Sequence, residues 1–142
     1  MKTGLKVGFG SVAAAILLAG GMFVISLKSP KADQETDMAR CIKSQQDLRT
    51  LSTVLDLYKL NTQHYPSTED GLHALLTPIA YIKKLAKDPW QSDYHYVFPA
   101  SLNSELAYDL YSFGKNGKDD AGAQDDIPAW GEPDCNELMK EK

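Results

Sequence analysis

The sequence predicts an α+β protein: one long N-terminal helix carrying a head made of a short second helix and a small antiparallel sheet. Three observations predict it. Residues 7–27 contain no charged side chain, a run of about 21 residues, long enough to cross a hydrocarbon core as a helix. Residues 33–61 contain neither Gly nor Pro and place Met38, Cys41, Ile42, Gln45, Leu48, Leu51, Leu55 and Tyr58 at spacings of three and four, the period of a half-buried helix. Tyr94-His95-Tyr96-Val97-Phe98 and Ala107-Tyr108-Asp109-Leu110-Tyr111-Ser112 have strand composition, and the short loop 99–105 between them favours an antiparallel pair.

The chain of 142 residues allows one domain with at most one appendage. Its net charge is −4 and no basic stripe is present, which argues against nucleic acid as a partner. The acidic excess lies in the C-terminal half, in the run from 119 to 126.

Taken in order, Lys2 and Lys6 precede the apolar run, while Lys28 and Lys31 follow it and give way to Asp33, Glu35 and Asp37. This slightly favours a cytoplasmic N-terminus and export of the rest. The alternative is a cleaved secretory signal, but the apolar stretch is longer than an ordinary signal core and no small-x-small site closes it. A retained single-pass anchor is therefore expected. The amphipathic helix follows, and Pro30 between the two halves is tolerated as a kink. Pro66 biases Tyr65 away from helical angles and ends the rod near Asn61.

Ser67 and Asp70 resemble a capping box that opens a short helix over 68–76, with Leu72, Leu75 and Leu76 on its buried face and Pro78 as its stop. In 81–87, Ile82 and Leu85 are spaced to pack, and Asp88-Pro89-Trp90 forms a turn with an aromatic plug. From Gly114 onward the chain is rich in Gly and Asp and has no period, so something other than a core must hold it.

That need points to the one stretch with chemistry. Residues 113–126, Phe113 to Asp126, gather four carboxylates, an amide and flexible glycines. Hard oxygens on a pliable loop suit Ca²⁺, which takes six to eight oxygen ligands. No EF-hand spacing is present, and the composition by itself favours a solvated acidic loop over a Ca²⁺ site. His64, His73 and His95 sit in separate segments without an i, i+4 pair, which argues against zinc. Nucleophile elbows and phosphate-binding glycine loops are absent from the sequence. Lys83, Lys84 and Lys87 read as a solvated face, or as one that meets an acidic patch on a neighbouring subunit.

Five blocks carry a resemblance. Leu55-Asp56-x-Tyr58-Lys59-Leu60 comes first, then Tyr65-Pro66-Ser67-Thr68-Glu69-x-Gly71-Leu72-x-Ala74-Leu75. Tyr81-Ile82-Lys83-Lys84-Leu85-x-Lys87-Asp88-Pro89-Trp90 follows, then Asp109-Leu110-Tyr111-Ser112-x-Gly114 and Asp125-Asp126-Ile127-x-x-Trp130. In this order the blocks resemble the major pseudopilins of type II secretion systems, over a span from about Pro30 to Trp130. The resemblance implies the type IV pilin-like fold: a long N-terminal helix with a membrane-embedded half, a short second helix and a small sheet with a metal-bearing loop. It also implies a role as a subunit stacked into a periplasmic pseudopilus that drives folded proteins outward. The implied partners are other pseudopilin subunits, copies of itself included, the inner-membrane secretion platform and the membrane. The implied location is the bacterial inner membrane, single pass, with the C-terminal domain in the periplasm. Carried over by position, the Ca²⁺ ligands would be the Phe113 carbonyl and the side chains of Asn116, Asp125 and Asp126. Asn116 stands where the family more often has Asp, which keeps an oxygen but loses a charge.

The N-terminus departs from the pattern. Pseudopilins usually carry Gly followed by Phe-Thr-Leu-x-Glu, where prepilin peptidase cuts after Gly and methylates the Phe amine. Gly8-Phe9 is at the right distance before Pro30, but Ala13 occupies the Glu position. Gly8-Phe9 reads as a processing site or as chance within an apolar run. Ala13 also keeps open a minor or capping subunit, or an anchored periplasmic binding or adaptor domain that does not polymerise.

Cys41 and Cys135 are the only cysteines. In an exported domain they suggest one disulfide, closing about 95 residues and contributing about 3–4 kcal/mol; the alternative is a core Cys41 and an exposed Cys135 thiol. The resemblance does not imply this bond. The chain thus divides into a leader and transmembrane helix over 1–30, a periplasmic domain over 31–134 and a tail over 135–142.

Overall fold

The computed structural model describes residues 30–138. The apolar run 7–27, the Gly8-Phe9 pair and position 13 lie outside the described residues. Among the described residues no helix is long and apolar enough to cross a membrane.

The first helix, α1, spans Pro30–Thr62 in 33 residues, a rod of about 50 Å. It closes where Gln63 turns left-handed at φ 69° and donates its N–H to the Lys59 carbonyl at 2.8 Å, an exit that Gly usually takes. The apolar stripe is buried as the spacing predicts at Cys41, Leu48, Leu51 and Leu55, with Val54 added and Met38 and Tyr58 at its margins. Ile42 is the exception, 45% exposed. One residue is about 100° of helix rotation, and the head covers the side that Cys41 and Ser44 share.

The second helix is shorter and tighter than expected. A turn over 68–70 leads into a 3₁₀ helix at Gly71–Leu75. Ser67 closes that turn rather than capping the helix: Ser67 Oγ accepts the Asp70 N–H at 3.1 Å and donates to the Asp70 carboxylate at 2.6 Å, and the helix itself has Asp70 at its N-cap without a side-chain cap bond. Gly71 at φ +55° cannot continue an α-helix from that turn, so only the stretch beyond it winds. Leu72 and Leu75 are buried, and Leu76 only half so.

Three strands form one antiparallel sheet in the order β1-β2-β3, with β1 at His95–Val97, β2 at Asp109–Ser112 and β3 at Ile127–Pro128. Tyr96 pairs with Leu110, and Ser112 with Ile127. The first two strands lie inside the predicted runs. The third was not legible, since two residues, one of them Pro, make no period. All four residues of β2 are buried, and its polar members are satisfied. Asp109 accepts the N–H of Ser101 at 2.6 Å, its hydroxyl at 2.8 Å and the Leu102 N–H at 3.1 Å. The core lies between α1 and the sheet, with Leu48, Leu55, Leu75, Leu110 and Ile127 fully buried at its centre.

Past β3 the chain returns to α1, and the last described element is a single helical turn, α2, at Cys135–Leu138. Cys41 and Cys135 are joined as a disulfide with Cα atoms 5.8 Å apart. The bond does for the aperiodic C-terminal segment what a core does elsewhere.

Candidate functional site

The loop 113–126 joins β2 to β3, so both its ends are fixed by strand pairing. Backbone packing at its neck is very close. Gly114 has φ +61°, and a Cβ built on it would stand 1.9 Å from the Asp125 carbonyl oxygen. Only glycine lets the two ends of the loop approach this far.

Inside the loop the acidic side chains organise backbone N–H groups. Asp119 accepts the Ala121 N–H at 3.0 Å and the Tyr111 hydroxyl at 2.9 Å. These two donors, with His95 nearby, hold its carboxyl below the ordinary range. Asp126 is 1% exposed. Its Oδ2 accepts the N–H groups of Asp120 at 3.0 Å and Gly122 at 2.8 Å. Its Oδ1 is buried without a hydrogen-bond partner. Burial pushes the Asp126 carboxyl up to about 6 although those two N–H groups oppose the rise, and the negative charges of Asp120 and Asp119 add to it.

Asn116 is the hub of the outer side. Its backbone N–H reaches Asp125 Oδ2 at 2.7 Å, and its side-chain Nδ2 donates to Asp120 at 2.9 Å and to Asp125 Oδ1. Its Oδ1 accepts the Lys118 N–H at 2.6 Å. The amide thus bridges two carboxylates, a place where positive charge is favoured. The Phe113 ring packs on His95 and Tyr111.

Of the expected ligand set the fold pairs Asn116 with Asp125 and adds Asp120 to that pair, while Asp126 turns to the N–H groups of Asp120 and Gly122. Among the described residues, no three carboxylate, His or Cys side chains form a group that could hold a metal ion by themselves. A cation here would draw on amide and backbone oxygens as well. One element of the neighbourhood was not legible. Lys115, between Phe113 and Asn116, reaches Asp37 of α1 at 2.8 Å, and nothing local in the sequence links them. Asp37 is 4% exposed and also meets Arg40 at 3.2 Å. Burial pushes its carboxyl up, but Lys115 together with Trp90 and Arg40 outweighs that and holds it below the ordinary value.

The other candidates stay apart. His95 stacks on Tyr111 and Phe113, and His64 contacts the Tyr65 carbonyl. Lys83 and Lys84 are exposed, and Lys87 pairs with Asp93 at 3.3 Å.

Comparison with known proteins agrees with this architecture. Residues 31–130 match the family model of the type II secretion system (T2SS), protein G. The type II secretion system core protein G of Escherichia coli K12 is 39% identical over 118 residues, 75% of this chain and 78% of that protein. The Pseudomonas aeruginosa protein of the same name is 30% identical over 136 residues, covering 87% of this chain and 94% of its own length. The crystal structure of the major pseudopilin from the type 2 secretion system of enterohaemorrhagic E. coli superposes with a TM-score of 0.60 at 33% identity, covering 74% of this chain and 94% of that one. On the match over residues 31–130 and these identities, the chain belongs to the protein G family of the type II secretion system.

Proposed function

We propose that this chain is a structural subunit of the type II secretion pseudopilus, stacked with other pseudopilins in the periplasm and without turnover of its own. The observation that carries the reading is the family's helix-and-head architecture over 31–130. The surface supports it: Leu57 at 48% and Leu60 at 70% exposure stand on α1 outside the head's cover, as a helix packed between neighbours would need. The apolar run 7–27 supplies the inner-membrane anchor, and the fibre's other pseudopilins and the membrane platform are its partners.

The loop 113–126 holds Ca²⁺ in this reading. The supporting observation is the buried Asp126 Oδ1, which lacks a partner, in a loop whose sequence carries three further carboxylates. A buried carboxylate oxygen with no donor costs about 1–3 kcal/mol, and a cation removes that cost. Asn116, Asp125, Asp126 and the Phe113 carbonyl would hold the ion, and Asp120 offsets the charge that Asn116 lacks. The ion would supply positive charge now approximated by the Asn116 amide N–H groups.

A photo-crosslinking residue at Leu60, in cells making the secretion machinery, tests the fibre reading. A ladder of multimers is the expected result, and monomer alone would overturn it. A second reading, an anchored domain that does not polymerise, is favoured by Ala13 alone. Intact mass separates the two: loss of residues 1–8 places the chain in the pilin pathway, and an uncut N-terminus favours the anchored domain.

A further inference from the structure

Asp37, Cys41 and Gln45 stand four residues apart on α1, and residues at i and i+4 share one helix face. Each holds a different point of the chain that follows β2. Asp37 takes Lys115 at 2.8 Å, Cys41 is bonded to Cys135, and Gln45 Nε2 donates to the Pro133 carbonyl at 2.6 Å. Lys115 lies at the start of the loop 113–126, while Pro133 and Cys135 lie just beyond its exit through β3. One face of one helix therefore brackets the acidic loop from both sides. The three contacts differ in kind: an ion pair, a hydrogen bond and a covalent bond.

We propose that the Asp37–Cys41–Gln45 row is a three-point latch that positions the acidic loop for its cation, with the disulfide as the point sensitive to redox state. The cation clause rests on the calcium reading above; the positioning clause does not. A loop of this length closes by paying conformational entropy, and anchoring it at both sides lowers what a cation must supply to order it. The shared helix also gives the loop's state a physical route to the lower end of α1, since Asp37 lies only two turns from Pro30. Lys115, Cys135 and Gln45 are positioning residues here, not ligands.

Hydrogen exchange on the detergent-extracted full chain tests this. The wild type, Lys115→Met, and the paired Cys41→Ala and Cys135→Ala variant are compared first in EDTA and then across a calcium titration. In EDTA, amides of 115–126 are expected to exchange about tenfold faster in both variants, while β1 and β2 keep wild-type protection. Loop amides unchanged in both variants would overturn the latch, as would a uniform rise across all elements, which reports only lost global stability. Lys115→Met leaves the disulfide intact, so it decides the matter if the cysteine variant does not fold. In the titration, each variant is expected to need about tenfold more calcium for half-protection of the loop. Equal midpoints would overturn the cation clause. If calcium leaves even the wild-type loop unprotected, the calcium reading falls, and the EDTA comparison alone judges the latch.

Discussion

Ser112 on the central strand donates its hydroxyl to the Asp88 carboxylate 2.5 Å away. This ties the Asp88-Pro89-Trp90 turn to the middle of the sheet. Asp88 is 1% exposed, and its other oxygen accepts the N–H of Trp90 at 3.0 Å and of Ser92 at 2.8 Å. Asp88→Ala leaves three donors without their acceptor, the buried Ser112 hydroxyl and the part-buried N–H groups of Trp90 and Ser92, and is expected to cost about 3 kcal/mol or more. Ser112→Ala leaves Asp88 Oδ2 without its donor and the Gly114 N–H, which Ser112 Oγ accepts at 3.1 Å, without its acceptor, and should cost less, about 1–3 kcal/mol. Denaturant melts of the two variants check the order, and equal costs would contradict it.

Gly114 and Gly71 both have positive φ but differ in surroundings. Nothing lies within 4 Å of a Cβ at Gly71, whereas one at Gly114 meets the Asp125 carbonyl oxygen at 1.9 Å. Gly71→Ala should therefore cost about 1–2 kcal/mol for its left-handed backbone alone. Gly114→Ala adds a backbone clash that must open the loop's neck, for a total above about 3 kcal/mol. Thermal melts of the two variants, with a loop probe such as Trp130 fluorescence, give the comparison.

Asp37 makes stability fall in acid. Its folded value lies below the ordinary 3.8, so on lowering the pH the unfolded chain takes up the proton first. The stabilisation is fully present above the unfolded value and is lost as pH falls through the folded one. The gap between wild type and Asp37→Asn is thus expected to be constant from neutral pH to about pH 5 and to shrink below 3.8. A gap that stays constant to pH 2 would mean that the groups facing Asp37, Lys115, Arg40 and Trp90, do not stabilise its charge.

Calcium should stabilise the chain by about 2.7 kcal/mol at a hundredfold excess over its Kd. Magnesium should do less, because it demands octahedral geometry and gives up water reluctantly. Asp126→Asn is expected to abolish the calcium response while staying within about 1 kcal/mol of wild type in EDTA, since it removes a buried charge with an unpartnered oxygen. Calorimetry with and without calcium reads both effects. A large loss in EDTA would assign Asp126 a purely structural part.

Much of this was legible in the residues. The spacing of Cys41, Leu48, Leu51 and Leu55 gave the buried face of α1, because a helix projects every third and fourth side chain to one side. The runs around Tyr96 and Leu110 gave the antiparallel pair, and Ser67 with Asp70 gave a capped turn. Ile42 was misjudged because adjacent helix positions are both plausible at the edge of a stripe until the neighbour covering it is known. The second helix was overextended because a capping box does not report the φ of the Gly71 that follows it. β3 at Ile127 was missed because a two-residue strand exists only by virtue of its partner.

Elements whose causes are local follow from the residues alone: periodicity for α1, composition for β1 and β2, Pro66 for the break after the rod, and the acidic content of the loop. The sequence also limited the cysteines to a single possible internal bond. What meets across long sequence separations is visible in the folded chain alone. The fold put Lys115 on Asp37, left Asp126 Oδ1 buried and unpartnered, and lined up Asp37, Cys41 and Gln45 against both sides of the loop. The physical reason is that such contacts depend on the loop-closure entropy and packing of the whole chain, and neither is written in any short window of residues.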